Sequence, residues 1–169
     1  MTLPSLQFFA MPTLLLCGAM TTTLFAADEY IESVRISPQL MVGTAGVEIG
    51  AAVEIRLGMW NSVNLRPEVF INDDADVGGG ASALWTITDS FDFPARHGFQ
   101  VGPRVVYHNS DEEGWELSAL GMWSIALDDT RIRRHEIEIL AALGVLQDRE
   151  GDTQMVLAAS GGAAYSYRF

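Results

Sequence analysis

The stretch that decides the fold is MVLAASGGAAYSYRF, residues 155–169. From Leu157 to Phe169 every second residue is apolar, small or aromatic, and the residues between them include Ser160 and Arg168. A period of two is typical of a β-strand whose two faces differ in polarity. The last three residues of the apolar face are all aromatic. This stretch therefore predicts an amphipathic strand that ends in a band of aromatic side chains.

The same alternation recurs along the chain. It is clearest from Val47 to Leu57, and an amphipathic helix would not keep a period of two for eleven residues. An acidic, glycine-rich segment, Asn72 to Gly80, reads as a loop. We predict eight strands joined by short connections, at residues 31–42, 47–57, 63–71, 81–88, 98–108, 115–125, 131–146 and 155–169. An even number of segments of about ten residues favours an all-β, antiparallel, up-and-down barrel.

Composition excludes some functions. The chain has 169 residues, 10 basic against 22 acidic, and a formal net charge of -12. Every basic residue is arginine. Nucleic acid is therefore not expected as a partner. After residue 30 no apolar run approaches the roughly 20 residues of a membrane-spanning helix, so a mature chain in a membrane must cross it as a barrel.

The N-terminal segment has the character of a secretory signal peptide. Leu6 to Ala27 carries no charge and contains three consecutive leucines. We predict a signal peptide at residues 1–27 and a mature barrel domain at residues 28–169, which lacks cysteine because Cys17 is removed. The alternative is an uncleaved helical anchor, against which Pro12 and a run of threonines argue because they shorten the apolar stretch.

Charges on the polar faces of the strands are close to balance. The acidic excess lies mostly in the connections. Balance suits a closed interior, where buried carboxylates need guanidinium partners, whereas a solvated exterior has no such requirement. We predict an interior charge network of five arginines and six glutamates, namely Arg35, Glu48, Glu54, Arg56, Arg66, Glu68, Arg104, Glu116, Glu136, Glu138 and Arg168.

The aromatic residues fall near the strand ends. If the last strand runs toward the periplasm, they form two girdles of the kind that flank the apolar band of a membrane barrel. The predicted girdle residues are Trp60, Trp85, Phe99, Trp123, Tyr165, Tyr167 and Phe169 at the periplasmic end, with Tyr107 and Trp115 at the outer end. Pro38, Pro67 and Pro103 lie within predicted strands and remove ladder donors, so either bulges absorb them at these outward positions or one of these strands is wrongly drawn.

From the YSYRF ending, the alternation and the girdles, the mature chain resembles the small eight-stranded outer-membrane barrels, the class of the OmpA transmembrane domain and OmpX. The resemblance implies a Gram-negative outer membrane and contact with its lipid and lipopolysaccharide. It also implies recognition by the barrel assembly machinery through the strand that ends at Phe169. The function expected is structural or one of surface interaction, with no cofactor and an interior plugged by Arg/Glu pairs.

Two alternatives come from other functional classes. His108 and Ser110, with Glu116 nearby, are similar to the His-x-Ser arrangement of the lipid A deacylase barrels, which implies His108 as general base, Ser110 as nucleophile and a glutamate that orients the imidazole. The second alternative is a soluble periplasmic barrel, whose apolar face would point inward and line a ligand cavity.

Two loop clusters have simple explanations. Asp73, Asp74 and Asp76 are candidate ligands for Ca²⁺ or Mg²⁺, but they lack a complete loop signature and read as a solvated turn. The basic cluster is formed by Arg131, Arg133, Arg134 and His135. We interpret it as an anchor against lipid phosphates, which needs only snorkelling side chains.

Overall fold

The computed structural model is all-β and describes residues 31–57, 63–89, 97–109, 113–128, 134–148 and 154–169. Its eight strands follow one another around a closed barrel, and β8 pairs with β1 in antiparallel orientation. The eight-stranded barrel predicted from the alternation is therefore confirmed. The predicted signal peptide at residues 1–27 lies outside the described residues.

The strands are β1 (Ile31–Gly43), β2 (Gly46–Leu57), β3 (Val63–Asn72), β4 (Val77–Asp89), β5 (His97–His108), β6 (Glu113–Ala126), β7 (His135–Asp148) and β8 (Gln154–Arg168). The end of the barrel that holds Phe169 and the connections β2–β3, β4–β5 and β6–β7 is called the terminal rim below. The opposite end, which holds the connections β1–β2, β3–β4, β5–β6 and β7–β8, is called the far rim.

The described residues contain no helix long and apolar enough to cross a membrane.

Strand β4 begins at Val77, so the prediction of a loop through Gly80 is wrong. Gly78, Gly79 and Gly80 are part of β4, and at two of these positions a side chain would collide with a neighbouring strand. A Cβ on Gly78 would lie 2.3 Å from the ring of Phe70, and one on Gly80 would lie 2.4 Å from the carbonyl oxygen of Val105. The glycines therefore let β4 approach its neighbours closely, a use that composition alone cannot distinguish from a flexible turn.

The start of β7 is also corrected. The strand begins at His135, and Arg134 stands before it without strand structure, whereas Arg131 and Arg133 lie outside the described residues. The predicted start at Arg131 is therefore too early.

All three strands that contain a proline form, and the prolines are accommodated by gaps in single ladders, without a bulge at these positions. Beside Pro38 the β1–β8 partners run from Ile36↔Tyr167 directly to Gln39↔Ala164, in unchanged register. The β2–β3 ladder skips the position of Pro67, and the β4–β5 ladder skips that of Pro103, again without a shift. A missing proline donor thus interrupts one ladder locally, while pairing continues on both sides of the gap.

Thr44 ends the seam between β1 and β8 at the far rim. Its backbone N–H donates to the carbonyl of Ala159 at 3.0 Å, and its hydroxyl accepts from the N–H of Ala159 at 3.0 Å. At the terminal rim the N–H of Phe169 donates to the carbonyl of Val34 at 3.1 Å. Backbone groups at both ends of the closing seam are therefore satisfied, which a closed barrel requires.

Candidate functional site: the charged interior of the barrel

The inward side chains of the barrel include the predicted charge network. Because side chains alternate along each strand, one set of positions points into the lumen and the other points outward. Nine of the eleven predicted residues are buried: Arg35, Glu48, Glu54, Arg66, Glu68, Arg104, Glu116, Glu136 and Glu138. Arg56 and Arg168, near the terminal rim, are half-buried.

One ion pair spans the lumen. Nη2 of Arg66 on β3 lies 3.1 Å from Oε2 of Glu138 on β7, and both side chains are at most 1 % exposed. In an eight-stranded closed sheet β3 and β7 stand on opposite sides, so this contact crosses the interior. The hydroxyl of Ser37 donates to the other carboxylate oxygen of Glu138 at 3.3 Å. The lumen is closed at this level by a pair whose charges are compensated.

A second group of polar contacts lies in the terminal half. Nη1 of Arg35 contacts Oε2 of Glu136 at 2.6 Å and Oε1 of Glu54 at 3.7 Å. The side-chain amide of Asn64 donates to Gln100 at 2.9 Å. These contacts link β1 with its neighbour β2, and they also cross-link β1 with β7 and β3 with β5, which are not hydrogen-bonded neighbours.

Arg104 is the centre of the far half. Its Nε lies 2.6 Å from Glu68, its Nη1 3.0 Å from Glu116 and its Nη2 3.6 Å from Glu48. Gln39 donates to the second oxygen of Glu68 at 2.7 Å. A single guanidinium thus serves carboxylates from β2, β3 and β6, which the planar five-donor fork of arginine allows and a lysine ammonium would not.

His108 belongs to this interior cluster. Its imidazole is 1 % exposed, with Nδ1 3.6 Å from Glu48 and Nε2 3.5 Å from Glu116. The Phe70 ring lies 5.4 Å from it. A base placed there cannot reach a lipid on the outer surface, and Ser110 lies outside the described residues. The geometry of His108 and Glu116 therefore supports a role within the interior polar cluster and gives no support to the deacylase arrangement.

Part of the interior is apolar, which the sequence reasoning did not anticipate. The buried side chains Met41, Leu84, Leu120, Met122, Leu140, Ala142 and Ala164 form one cluster within the barrel. The signal was present, because Leu120 and Met122 interrupt the polar face of β6. These side chains fill the lumen beside the ion pairs, as expected for a barrel of this size.

Cavities at the far and terminal mouths measure about 10 and 20 Å³, enough for a single water molecule each.

The outward face is apolar. Large side chains at least 38 % exposed there include Ile36, Leu40, Val42, Ile49, Leu65, Val69, Ile71, Val105, Leu117, Ile137, Ile139, Leu143, Val145 and Leu157. Among the described residues, the outward positions between Val34 and Val42 on β1 and between Ile137 and Val145 on β7 carry no charge. The barrel therefore has charges inside and hydrocarbon outside, the reverse of a water-soluble barrel.

Eight of the nine predicted girdle residues are described, and all eight are partly or largely exposed. Trp85, Phe99, Trp115, Trp123, Tyr165 and Phe169 are 40–73 % exposed, and Tyr107 and Tyr167 are half-buried. Phe99 and Trp123 are register partners toward the terminal rim, and Tyr107 and Trp115 are partners toward the far rim, with ring centroids 4.9 Å apart. Trp60 lies outside the described residues.

The acidic turn between β3 and β4 is compact. The side chain of Asn72 accepts from the N–H of Asp76 at 2.7 Å, and Ala75 has a φ of 67°. The carboxylate of Asp73 packs beside Gly46, where a Cβ would lie 2.5 Å from it. Among the described residues no three His, Cys, Asp or Glu side chains are placed to hold a metal ion, and Asp74 is exposed.

No protein-family model matches the sequence, and comparisons with curated proteins and with solved structures give no significant match.

Proposed function

We propose that the chain is an outer-membrane β-barrel with a structural or surface-interaction role, whose interior is plugged by Arg/Glu pairs. The observation that carries this proposal is the reversed polarity of the barrel. A water-soluble protein rarely exposes an apolar patch larger than a few hundred Å². Here the outward side chains make a continuous apolar band around the sheet, and the aromatic residues stand toward its two edges. Hydrocarbon is the environment that such a band suits.

The interior contacts favour a plug over a conduction path. The pair Arg66–Glu138 crosses the lumen, Arg104 joins three carboxylates in the far half, and leucine and methionine side chains fill the space beside them. Removing one partner of a buried pair leaves an uncompensated charge, which costs several kcal/mol. The network therefore fixes strand register and holds the lumen closed.

The lengths of the connections favour a structural role over one of surface interaction. From the strand bounds, the far-rim connections span residues 44–45, 73–76, 109–112 and 149–153, two to five residues each. The terminal-rim connections span 58–62, 90–96 and 127–134, five to eight residues each. Outer-membrane barrels commonly carry longer loops outside and short turns in the periplasm. With its C-terminus on the periplasmic side this barrel has the opposite distribution, so any surface interaction would depend on the acidic turns.

The proposed location also gives a role to the N-terminal segment, to the end of β8, to the outward apolar band and to the far rim. The segment at residues 1–27 would direct export, and the aromatic ending of β8 would be read by the barrel assembly machinery. The exposed apolar band would contact outer-membrane lipid, and the far rim would face lipopolysaccharide. No cofactor is part of the proposal.

Cell fractionation followed by gel mobility tests the proposal. The protein should be recovered with the outer membrane, and the unboiled sample should migrate differently from the boiled one because a closed barrel resists detergent until heated. Recovery in the soluble periplasmic fraction without a boiling-dependent shift would refute the proposal. It would instead support a soluble barrel.

A further inference from the structure

The terminal rim carries two arginines whose backbones are joined. Arg134, just before β7, donates its N–H to Oδ2 of Asp128 at 3.1 Å. Its carbonyl accepts from the N–H of Arg168 on β8 at 2.9 Å. The two arginine side chains therefore start from neighbouring backbone positions at the same end of the barrel, and these positions are hydrogen-bonded to each other.

Among the described residues, neither of these two guanidiniums has a carboxylate partner. The interior arginines Arg35, Arg66 and Arg104 each contact at least one glutamate. In the part of the chain that the structure describes, no carboxylate lies within ion-pair distance of Arg134 or Arg168, and Nε of Arg168 is buried without a hydrogen-bond partner. The chain has 22 acidic residues against 10 arginines, so an arginine left without a carboxylate is available for an anion from outside the protein.

His135 follows Arg134 in the chain and lies on the outward side of the wall. It is the register partner of Tyr167, its Nδ1 is hydrogen-bonded to the hydroxyl of Tyr165, and its ring centroid lies 5.2 Å from that of Tyr167. Arg168 continues the inward series of β8. The three side chains therefore straddle the edge of the barrel wall, where a long guanidinium side chain can reach over the edge toward the lipid side.

We infer that Arg134, His135 and Arg168 form a binding site for the phosphate group of an anionic phospholipid at the terminal rim. This inference rests on the proposed membrane location. Guanidinium forks match the geometry of phosphate oxygens, and tyrosine and tryptophan side chains are typical of the depth at which headgroups lie. At the far rim, by contrast, the turn between β3 and β4 presents the exposed carboxylates of Asp73 and Asp74.

Native mass spectrometry of the full-length protein, processed and folded in a zwitterionic detergent, tests the site. The probe is an equimolar mixture of phosphatidylglycerol and phosphatidylcholine. The wild type should retain phosphatidylglycerol in preference. The substitutions Arg134→Gln and Arg168→Gln should each lower that preference about fivefold, since one basic residue near a membrane surface contributes about that factor. Arg149→Gln, in the connection between β7 and β8, is the matched control and should keep the preference.

Two results would overturn the inference. One is an unchanged preference in the double variant, whose folding is checked by the boiling-dependent gel shift. The other is binding of inorganic phosphate alone, without preference between the two lipids, which would indicate an anion site unrelated to lipid. If the double variant does not fold, the lipid preference of the single variant Arg134→Gln decides the test. The Arg134 side chain is exposed, so its replacement should not prevent folding. Insertion into vesicles is scored separately: a barrel that inserts but shows no preference refutes the site alone, and one that does not insert refutes the proposed function.

Discussion

The guanidinium of Arg66 and the carboxylate of Glu138 meet at 3.1 Å between strands on opposite sides of the closed sheet. Both residues are fully buried, so neither charge can be compensated by bulk water. The pair closes the lumen and also sets the distance between two facing walls. It is the contact on which the proposed plug depends most directly.

Replacing Arg66 by Ala should therefore lower the free energy of unfolding by about 3–5 kcal/mol, because Glu138 would remain buried without its partner. Urea unfolding of the protein refolded into lipid vesicles measures this. Replacing both residues with apolar side chains of similar volume, as in Arg66→Met with Glu138→Leu, should restore most of the loss. Gln154→Ala, at an exposed position on β8 outside any proposed site, is the control and should change stability by less than about 0.5 kcal/mol. Equal losses for Arg66→Ala and Gln154→Ala would contradict the buried pair.

Two glycines provide a matched test of strand packing. A Cβ on Gly102 would lie 1.8 Å from the carbonyl oxygen of Ala83, whereas a Cβ on Gly161 would have its nearest neighbour at 3.7 Å. Gly102→Ala should destabilise the barrel by at least about 1–3 kcal/mol, since the β4 backbone must move. Gly161→Ala should be tolerated. Urea midpoints for the two variants measure the difference, and a well-folded Gly102→Ala barrel with wild-type stability would show that β4 and β5 are not this close.

The outward face can be tested with a charge. Ala141 is exposed near the middle of β7, and Gln147 is half-buried near the far rim. In a bilayer Ala141→Arg should cost about 2–4 kcal/mol, whereas Gln147→Arg should cost about 0–1 kcal/mol, because the cost depends on depth. Unfolding in vesicles measures both. In a water-soluble barrel the two substitutions would be equally mild, which is the contradicting outcome.

The hydroxyl of Thr44 holds the end of the closing seam. Thr44→Val keeps the shape of the side chain but removes its hydrogen bonds to Ala159. The loss should be about 1 kcal/mol, with faster hydrogen exchange at the N–H of Ala159. The N–H of Phe169, at the other end of the seam, is the internal control, and its exchange rate should not change. Unchanged exchange at Ala159 would show that the hydroxyl does not protect this end.

The sequence was sufficient for the barrel because a period of two is a local signal that survives in every strand. It was not sufficient for the start of β4, where Gly78 makes room for the ring of Phe70 on the preceding strand, since that need arises only after the strands pair. It also missed the apolar part of the lumen. Leu84 and Leu140 are buried inside, but a pattern of alternation cannot tell which apolar side chains face across a closed sheet.

The charged interior, too, could be predicted only in part from the sequence. Arginines and glutamates on the polar faces could be assigned to one network from charge balance. Their individual partners could not, because Arg66 meets a residue 72 positions away on the opposite wall. The proximity of His108 to Ser110 in sequence gave catalysis as an alternative, whereas the strand turns the His108 imidazole into the lumen between two glutamates.

The most direct test of the central claim is quenching of tryptophan fluorescence in vesicles. Trp85, Trp115 and Trp123 all point outward, and Trp60→Phe removes the fourth tryptophan of the chain. If the apolar face contacts hydrocarbon, phospholipids with brominated acyl chains should quench most of the emission, and aqueous iodide should quench little. Strong quenching by iodide with none from brominated lipid would place the three side chains in water and contradict the membrane barrel.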